Sequence, residues 1–349
     1  MRRHLRLAVT LAAIAVAQSM AWSGALQPAS AYTDGVVETS AAEWKEVEQI
    51  KNRTLPRKPK LGLALGGGGA RGAAHVGVLK VLEEEGIKFD CIAGTSIGSV
   101  VGGYYAAGVS PTEMERHFES GELMKHFMTV PLGVRIAAAP ILYTPRLLGA
   151  RGYDGLYKGG AFRKYLVAGL PCDERNIEDL KIPFCAVSLN LVDGKPYMIR
   201  KGNLGYAMQA SCAVPSLRKP VQIGDKLFVD GGVACNLPVK QCREMGADVV
   251  IAVNIDQPFK EVPLDTFRKP GSVAKRMLNW DLYTIDQPQA AMADILIHPD
   301  TEGIALISTK KSDARRAVAA GEKAAREALP IIRAKLGALE MLSDSEKAK

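Results

Sequence analysis

Ser96 stands in the middle of Gly94-Thr95-Ser96-Ile97-Gly98. A serine in this pattern is a nucleophile when a strand bends sharply into a helix and the bend lifts its hydroxyl out of the sheet. The flanking glycines allow that bend and let strand and helix pack closely beside it. Upstream lies a run of glycines, Gly66-Gly67-Gly68-Gly69-Ala70-Arg71-Gly72. Downstream lies Asp230-Gly231-Gly232. A hydroxyl, unshielded backbone N–H groups and a carboxylate are the groups that acyl transfer needs: nucleophile, oxyanion donors and base.

The glycine run has two meanings. Gly67-x-Gly69-x-x-Gly72 matches the dinucleotide-binding fingerprint literally. That fingerprint also requires an acid at the end of the second strand, to bond a ribose hydroxyl. Here Asp90 precedes the second strand and the strand ends in Gly-Thr-Ser, so the acid is at the wrong end. A Walker loop fails for want of a closing Lys-Ser/Thr. The other meaning is an oxyanion hole. Consecutive glycines at a helix N-terminus present free N–H groups where the helix dipole favours negative charge. Each such donor contributes about 3–4 kcal/mol to a tetrahedral intermediate.

The base has two candidates. Of His4, His75, His117, His126 and His298, the last ends a strand, and Ser96, Asp230, His298 follows the chain order of an α/β-hydrolase triad. Alternatively Asp230 takes the serine proton directly. Asp-Gly is also a common turn pair, so the carboxylate alone does not decide.

The elements around these residues alternate. Leu61 to Leu65 reads as a buried strand, Ala73 to Glu85 as a helix, Cys91 to Ala93 as a strand and Ile97 to Ala107 as a helix. That order predicts an α/β fold with a mainly parallel sheet and helices on both faces. Pro183 to Leu191 is a further strand, paired back by Pro196 to Arg200. A hairpin of Val221 to Ile223 and Leu227 to Val229 delivers Asp230. Ala247 to Asn254 and Asp294 to His298 complete the strands. Helices are expected over 41–51, 111–119, 154–166, 203–210, 239–245, 273–284 and 312–335. Residues 121–150 are apolar but interrupted by Pro131, Pro140 and Pro145. They read as an irregular connection, suited to an acyl channel, a lid, a membrane contact or plain packing.

The composition, 47% hydrophobic and 23% charged over 349 residues, is that of a globular chain with a large core. Arg2, Arg3 and Arg6, the apolar run Leu7 to Ala17 and Ala29-Ser30-Ala31 predict an export signal cleaved after Ala31. No dense Lys/Arg run points to nucleic acid, and the net charge of +8 fits attraction to anionic membranes as well as a solvated surface. The six cysteines lack CxxC spacing, and Cys91, Cys185 and Cys212 sit in core-like runs, which favours buried thiols over disulfides.

Together the three motifs resemble the patatin-like phospholipases, in the bacterial branch related to neuropathy target esterase. Ala210-Ser211-Cys212-Ala213-Val214-Pro215 and Asn236-Leu237-Pro238 extend the match, which covers roughly Lys60 to Pro299. The resemblance implies a three-layer α/β/α fold and a Ser96–Asp230 dyad with no histidine. It implies backbone N–H donors at Gly67, Gly68 and Gly69. Arg71, Gly72, Gly94, Gly98, Gly231 and Gly232 support the motifs, with Arg71 either bracing its loop or meeting a phosphate. No cofactor or metal is implied. The expected organisation is an export signal (1–31), a polar leader (32–59), a catalytic domain (60–300) and a C-terminal helix and tail (301–349). The expected partner is a lipid or lysolipid at a membrane surface, in the periplasm or cell envelope. A general esterase or thioesterase, or a non-catalytic lipid-binding protein, stands as the alternative.

Overall fold

The computed structural model describes residues 41–55, 58–139, 141, 144, 152–171 and 175–339. Eight strands form one sheet: β1 (Leu61–Leu65), β2 (Cys91–Thr95), β3 (Phe184–Asn190), β4 (Lys195–Ile199), β5 (Val221–Ile223), β6 (Lys226–Asp230), β7 (Val249–Val253) and β8 (Ile295–Ile297). Pairings run β5-β6-β3-β2-β1-β7-β8, with β4 also on β3. From β3 through β2, β1 and β7 to β8 every pair is parallel. Only β4, β5 and β6 run antiparallel to their partners.

β1, β2 and β7 are buried along their whole length, as parallel strands covered on both faces must be. Successive side chains alternate between the faces. Leu61, Leu63, Leu65, Ile92 and Ile251 enter the larger core, covered by helices Ala73–Glu84, Ile97–Ala107, Leu204–Ser211 and Lys311–Ala338. Ala64, Cys91, Ala93, Val250 and Ala252 enter a second core. Val47, Val239 and Met292 close it, from helices Ala41–Lys51, Val239–Glu244 and Ser272–Met292. Helices on two faces of one sheet make the three layers.

Helix Lys311–Ala338, which falls in the expected C-terminal segment 301–349, packs into the larger core. A Cβ on Gly77 would collide with the Val318 carbonyl, and one on Gly321 with the Ala74 carbonyl, so the two helices touch backbone to backbone. The helix expected from Asp154 begins only at Gly160. Gly155 and Gly159 adopt positive φ, and Tyr157 is spent on a bridge to Arg218. The helix expected over 273–284 extends to Met292, through Pro288. In the 121–150 segment the described part holds two short helices, Glu122–Phe127 and Leu132–Ala137, the first anchored by buried Leu123 and Met124. Residues 140, 142–143 and 145–150 of that segment, and the expected export signal, lie outside the described residues.

Cys91, Cys185, Cys212, Cys235 and Cys242 are buried free thiols, the closest approach being Cys91 Sγ to Cys242 Sγ at 3.8 Å. Among the described residues no helix is long and apolar enough to cross a membrane.

Candidate active site

The register of β3 brings two distant residues together. Val187 faces Thr95 of β2 on one edge and Met198 of β4 on the other. Ser188 faces Asp230 of β6 and Tyr197 of β4. β2 and β6 therefore share one edge of β3, end to end, and Ser96 leaves β2 where β6 finishes at Asp230. The Ser96 hydroxyl donates to Asp230 Oδ2 at 2.7 Å.

Ser96 has φ 50 and ψ −123, a conformation that L-residues rarely hold. The surrounding structure imposes it. The Ser96 N–H donates to Ser211 Oγ at 2.9 Å, and that hydroxyl donates to the Val187 carbonyl at 2.6 Å. Thr95 Oγ1 donates to the Cys235 carbonyl at 2.9 Å. A Cβ on Gly94 would collide with the Gly98 carbonyl, and one on Gly98 with the Leu65 carbonyl. The helix can begin this close to the strands only because both positions lack side chains. Ser96 itself is part-exposed at the N-terminus of helix Ile97–Ala107.

Asp230 is 6% exposed, and burial pushes its carboxyl up to about 6. The Gly232 N–H, bonded to Oδ1 at 2.8 Å, the Ser96 hydroxyl and the charge of Arg218 oppose the rise. The carboxylate is thus ionised at neutral pH yet holds a proton far better than an ordinary aspartate, which suits a general base. Gly231 must be glycine, since a Cβ there would strike the Val187 carbonyl.

The glycine loop lies against the serine: a Cβ on Gly67 would stand 3.3 Å from Ser96 Cβ. Its donors are not equivalent. The Gly67 N–H is committed to the Asn236 carbonyl at 3.1 Å, and this corrects the expectation that Gly67 serves as an oxyanion donor. The Gly68 and Gly69 N–H groups have no acceptor among the described residues, and both glycines are part-exposed. Gly69 opens the short turn Gly69–Gly72, whose first N–H groups have no partner within the turn.

Gly68 at φ 153 and Gly69 at φ 59 take shapes that a side chain would resist. Arg71 braces this loop from behind. Its guanidinium is buried, donating to the Ile304 carbonyl at 3.0 Å and pairing with Asp256 at 3.4 Å, so it does not face a substrate phosphate. Gly72 is pressed against Ile97, where a Cβ would overlap Cγ1.

Behind the loop lies a buried polar cluster that the motifs did not reveal. Asn236 Nδ2 donates to Asp256 at 2.8 Å and to Asp286 at 3.0 Å. Burial, together with the neighbouring Asp256 charge, lifts Asp286 to about 8, and burial lifts Asp256 to about 6. Asn236 lies in the matched Asn-Leu-Pro stretch, which was the available signal. Asp256 and Asp286 carried none.

The histidines stand apart from the Ser96–Asp230 pair. His298 Nε2 bonds the Asp256 carbonyl at 2.7 Å, and His75 Nε2 donates to the Gly66 carbonyl at 2.8 Å. His117 pairs with Tyr165, and His126 stacks on it. Among the described residues no histidine hydrogen-bonds Ser96 or Asp230, and no three His, Cys, Asp or Glu side chains group as metal ligands.

A strained serine at a strand-to-helix turn, with a carboxylate partner and a glycine loop on one edge of a parallel sheet, has the geometry of a serine-hydrolase-type α/β protein. The sequence profile of the patatin-like phospholipases matches residues 63–243, just over half of the chain, and the chain belongs to that family. An uncharacterized NTE family protein of Mycobacterium tuberculosis is 34% identical over 198 residues, covering 57% of this chain and 49% of its own. The lysophospholipase NTE1 of Cryptococcus neoformans is 32% identical over 237 residues, covering 63% of this chain and 14% of its own. The chain thus spans about half the length of the mycobacterial relative and a small part of the fungal one. Among solved structures, VipD of Legionella pneumophila aligns over 82% of this chain and 72% of its own, at 16% identity and a TM-score of 0.45.

Proposed function

We propose that the protein is a serine acyl hydrolase that cleaves carboxylic esters of phospholipids or lysophospholipids. The observation that carries this reading is the 2.7 Å hydrogen bond from Ser96 Oγ to Asp230 Oδ2, beside unpaired Gly68 and Gly69 N–H groups, in a chain of this family. Ser96 Oγ attacks the ester carbonyl carbon as its proton passes to Asp230. The carbonyl oxygen becomes an oxyanion against the Gly68 and Gly69 N–H groups. The intermediate collapses, the bond to the alcohol breaks, and Asp230 returns its proton to the departing oxygen. Water then gives a proton to Asp230 and attacks the acyl-enzyme, and Ser96 leaves with that proton as the fatty acid is released. The predicted signal at 1–31 supports export to the periplasm or cell envelope.

The test is fatty-acid release from phospholipid and lysophospholipid vesicles by the wild type and Ser96→Ala, with fluorophosphonate labelling of both. Release and labelling by the wild type alone support the reading. Equal release by both proteins, or no labelling of the wild type, overturns it. A series of soluble esters of increasing acyl length tests the general-esterase alternative, which expects no gain from long chains.

A further inference from the structure

Beyond β7 the chain leaves the sheet on the edge that carries the glycine loop. Ile255 packs beneath Gly68, where a Cβ would stand 2.7 Å from Ile255 Cδ1, and Asp256 holds Arg71. The chain then forms a lobe from residues 258–271 and the first turns of helix Ser272–Met292. The lobe is built on aromatic packing. Phe259 meets Trp280 edge-on at 4.8 Å, and the Arg276 guanidinium lies 3.3 Å from the centre of the Phe259 ring. Arg276 Nη2 also donates to the Lys260 carbonyl at 2.8 Å. A cleft of about 520 Å³ opens between the two parts.

The lobe is exposed along most of its length and carries both apolar and basic side chains. Leu264 is 87% exposed, Val273 55% and Met277 53%, and Phe267, which lines the cleft with Lys269 and Lys275, is 37% exposed. Residues 258–279 carry the cations Lys260, Arg268, Lys269, Lys275 and Arg276 against the carboxylates Glu261 and Asp265. Arg268 pairs with Asp265 at 2.7 Å and Lys260 with Glu302 at 2.9 Å. Among the described residues, Lys269, Lys275 and Arg276 have no carboxylate partner.

We propose that this lobe docks the protein on anionic phospholipid bilayers, with Leu264, Phe267, Val273 and Met277 entering the interface and Lys269 and Lys275 meeting lipid phosphates. The charge argues for this occupant. A second copy packed two-fold on the same face would set unpaired cations against their own kind. An anionic leaflet attracts the basic side chains and accepts exposed apolar ones. The inference rests on the phospholipid reading of the Ser96 site, because docking by this edge brings that site toward the bilayer holding its substrate.

The experiment measures co-sedimentation of the full chain, as Ser96→Ala so that no turnover alters the lipid, with vesicles of phosphatidylcholine alone or with about a third phosphatidylglycerol. Expected are binding at least about tenfold tighter to the anionic vesicles and weakening at high salt. Leu264→Ser/Phe267→Ser/Met277→Ser and, separately, Lys269→Glu/Lys275→Glu should each reduce that binding about tenfold. In the Ser96 background, both variants should cleave a soluble short-chain ester as the wild type does and lose rate only on vesicles. The charge variant alters only exposed side chains and decides the matter if the apolar variant fails to fold.

Anionic-vesicle binding unchanged by both variants overturns the proposal. So does a lobe-dependent dimer in sedimentation equilibrium with vesicle binding unaffected, which makes the occupant a second copy. Lobe-dependent binding by Ser96→Ala with no lipid hydrolysis by the wild type upholds docking and sinks the hydrolase reading. Vesicle hydrolysis indifferent to the lobe sinks docking alone.

Discussion

The main-chain carbonyl of Asn236 accepts the Gly67 N–H at 3.1 Å, which ties the glycine loop to the segment just after Asp230. The Asn236 side chain also lies against the loop, where a Cβ on Gly67 would collide with its Oδ1, and its amide Nδ2 donates to two buried carboxylates. One residue thus spaces the glycine loop from Asp230 and satisfies the polar cluster beneath them. Asn236→Ala should lose about 1–3 kcal/mol of stability, because Asp256 and Asp286 are left without their shared donor. It should also lower kcat more than it raises KM, because the loop that receives the oxyanion shifts. Chemical denaturation and steady-state kinetics on a soluble ester check both, and an unchanged kcat would refute the positioning role.

The choice of base is testable directly. Asp230→Asn keeps the shape but cannot accept the serine proton, and should cut kcat by about 10²–10⁴ with the fold intact. His298→Ala removes a contact to the Asp256 carbonyl and should leave most of the activity. A reversed pattern restores the histidine triad.

The rate should follow the Asp230 carboxylate. It acts as a base only when ionised, and burial holds it at about 6. kcat/KM for a neutral ester should therefore rise with pH through about 6 and then level off. The residual activity of Asp230→Asn should lack that limb. A flat wild-type profile between pH about 5 and 7 would contradict the assignment.

Asp286 links the buried cluster to stability. Its folded carboxyl is raised to about 8 from an ordinary value of 3.8, so the folded state disfavours its ionisation. Its contribution is most favourable below the ordinary value and falls as pH rises toward the folded value. Asp286→Asn removes that charge while keeping an oxygen for Asn236. The melting temperature of the variant relative to wild type should be more favourable at pH about 9 than at pH about 5. The same difference at both pH values would show that the carboxyl is not titrating as described.

The backbone at Gly98 predicts a steric failure. A Cβ there would overlap the Leu65 carbonyl, which belongs to a strand and cannot swing aside. Gly98→Ala should cost about 1–3 kcal/mol. It should also disturb Ser96, two residues away. Equilibrium unfolding with fluorophosphonate labelling follows both effects.

The sequence by itself determined the local parts. Gly94 to Gly98 encodes a sharp turn under Ser96, Gly67 to Gly72 a loop that opens a helix, and the alternation of short apolar runs a parallel sheet. These follow from sterics and hydrophobic periodicity over a few residues, and the motifs sufficed to identify the family. The tertiary structure decided what the parts meet. Asp230 lies 134 positions from Ser96 and reaches it only because β2 and β6 abut on one edge of β3. His298, which fits the chain order of a triad, is held instead by the Asp256 carbonyl. Gly67 looked like its glycine neighbours, but Asn236 takes its N–H. Asp256 and Asp286 belong to no motif, and helix and sheet packing alone buries them together. Local chemistry depends on adjacent residues; partnership and burial depend on the register of strands far apart in the chain, which no short stretch contains.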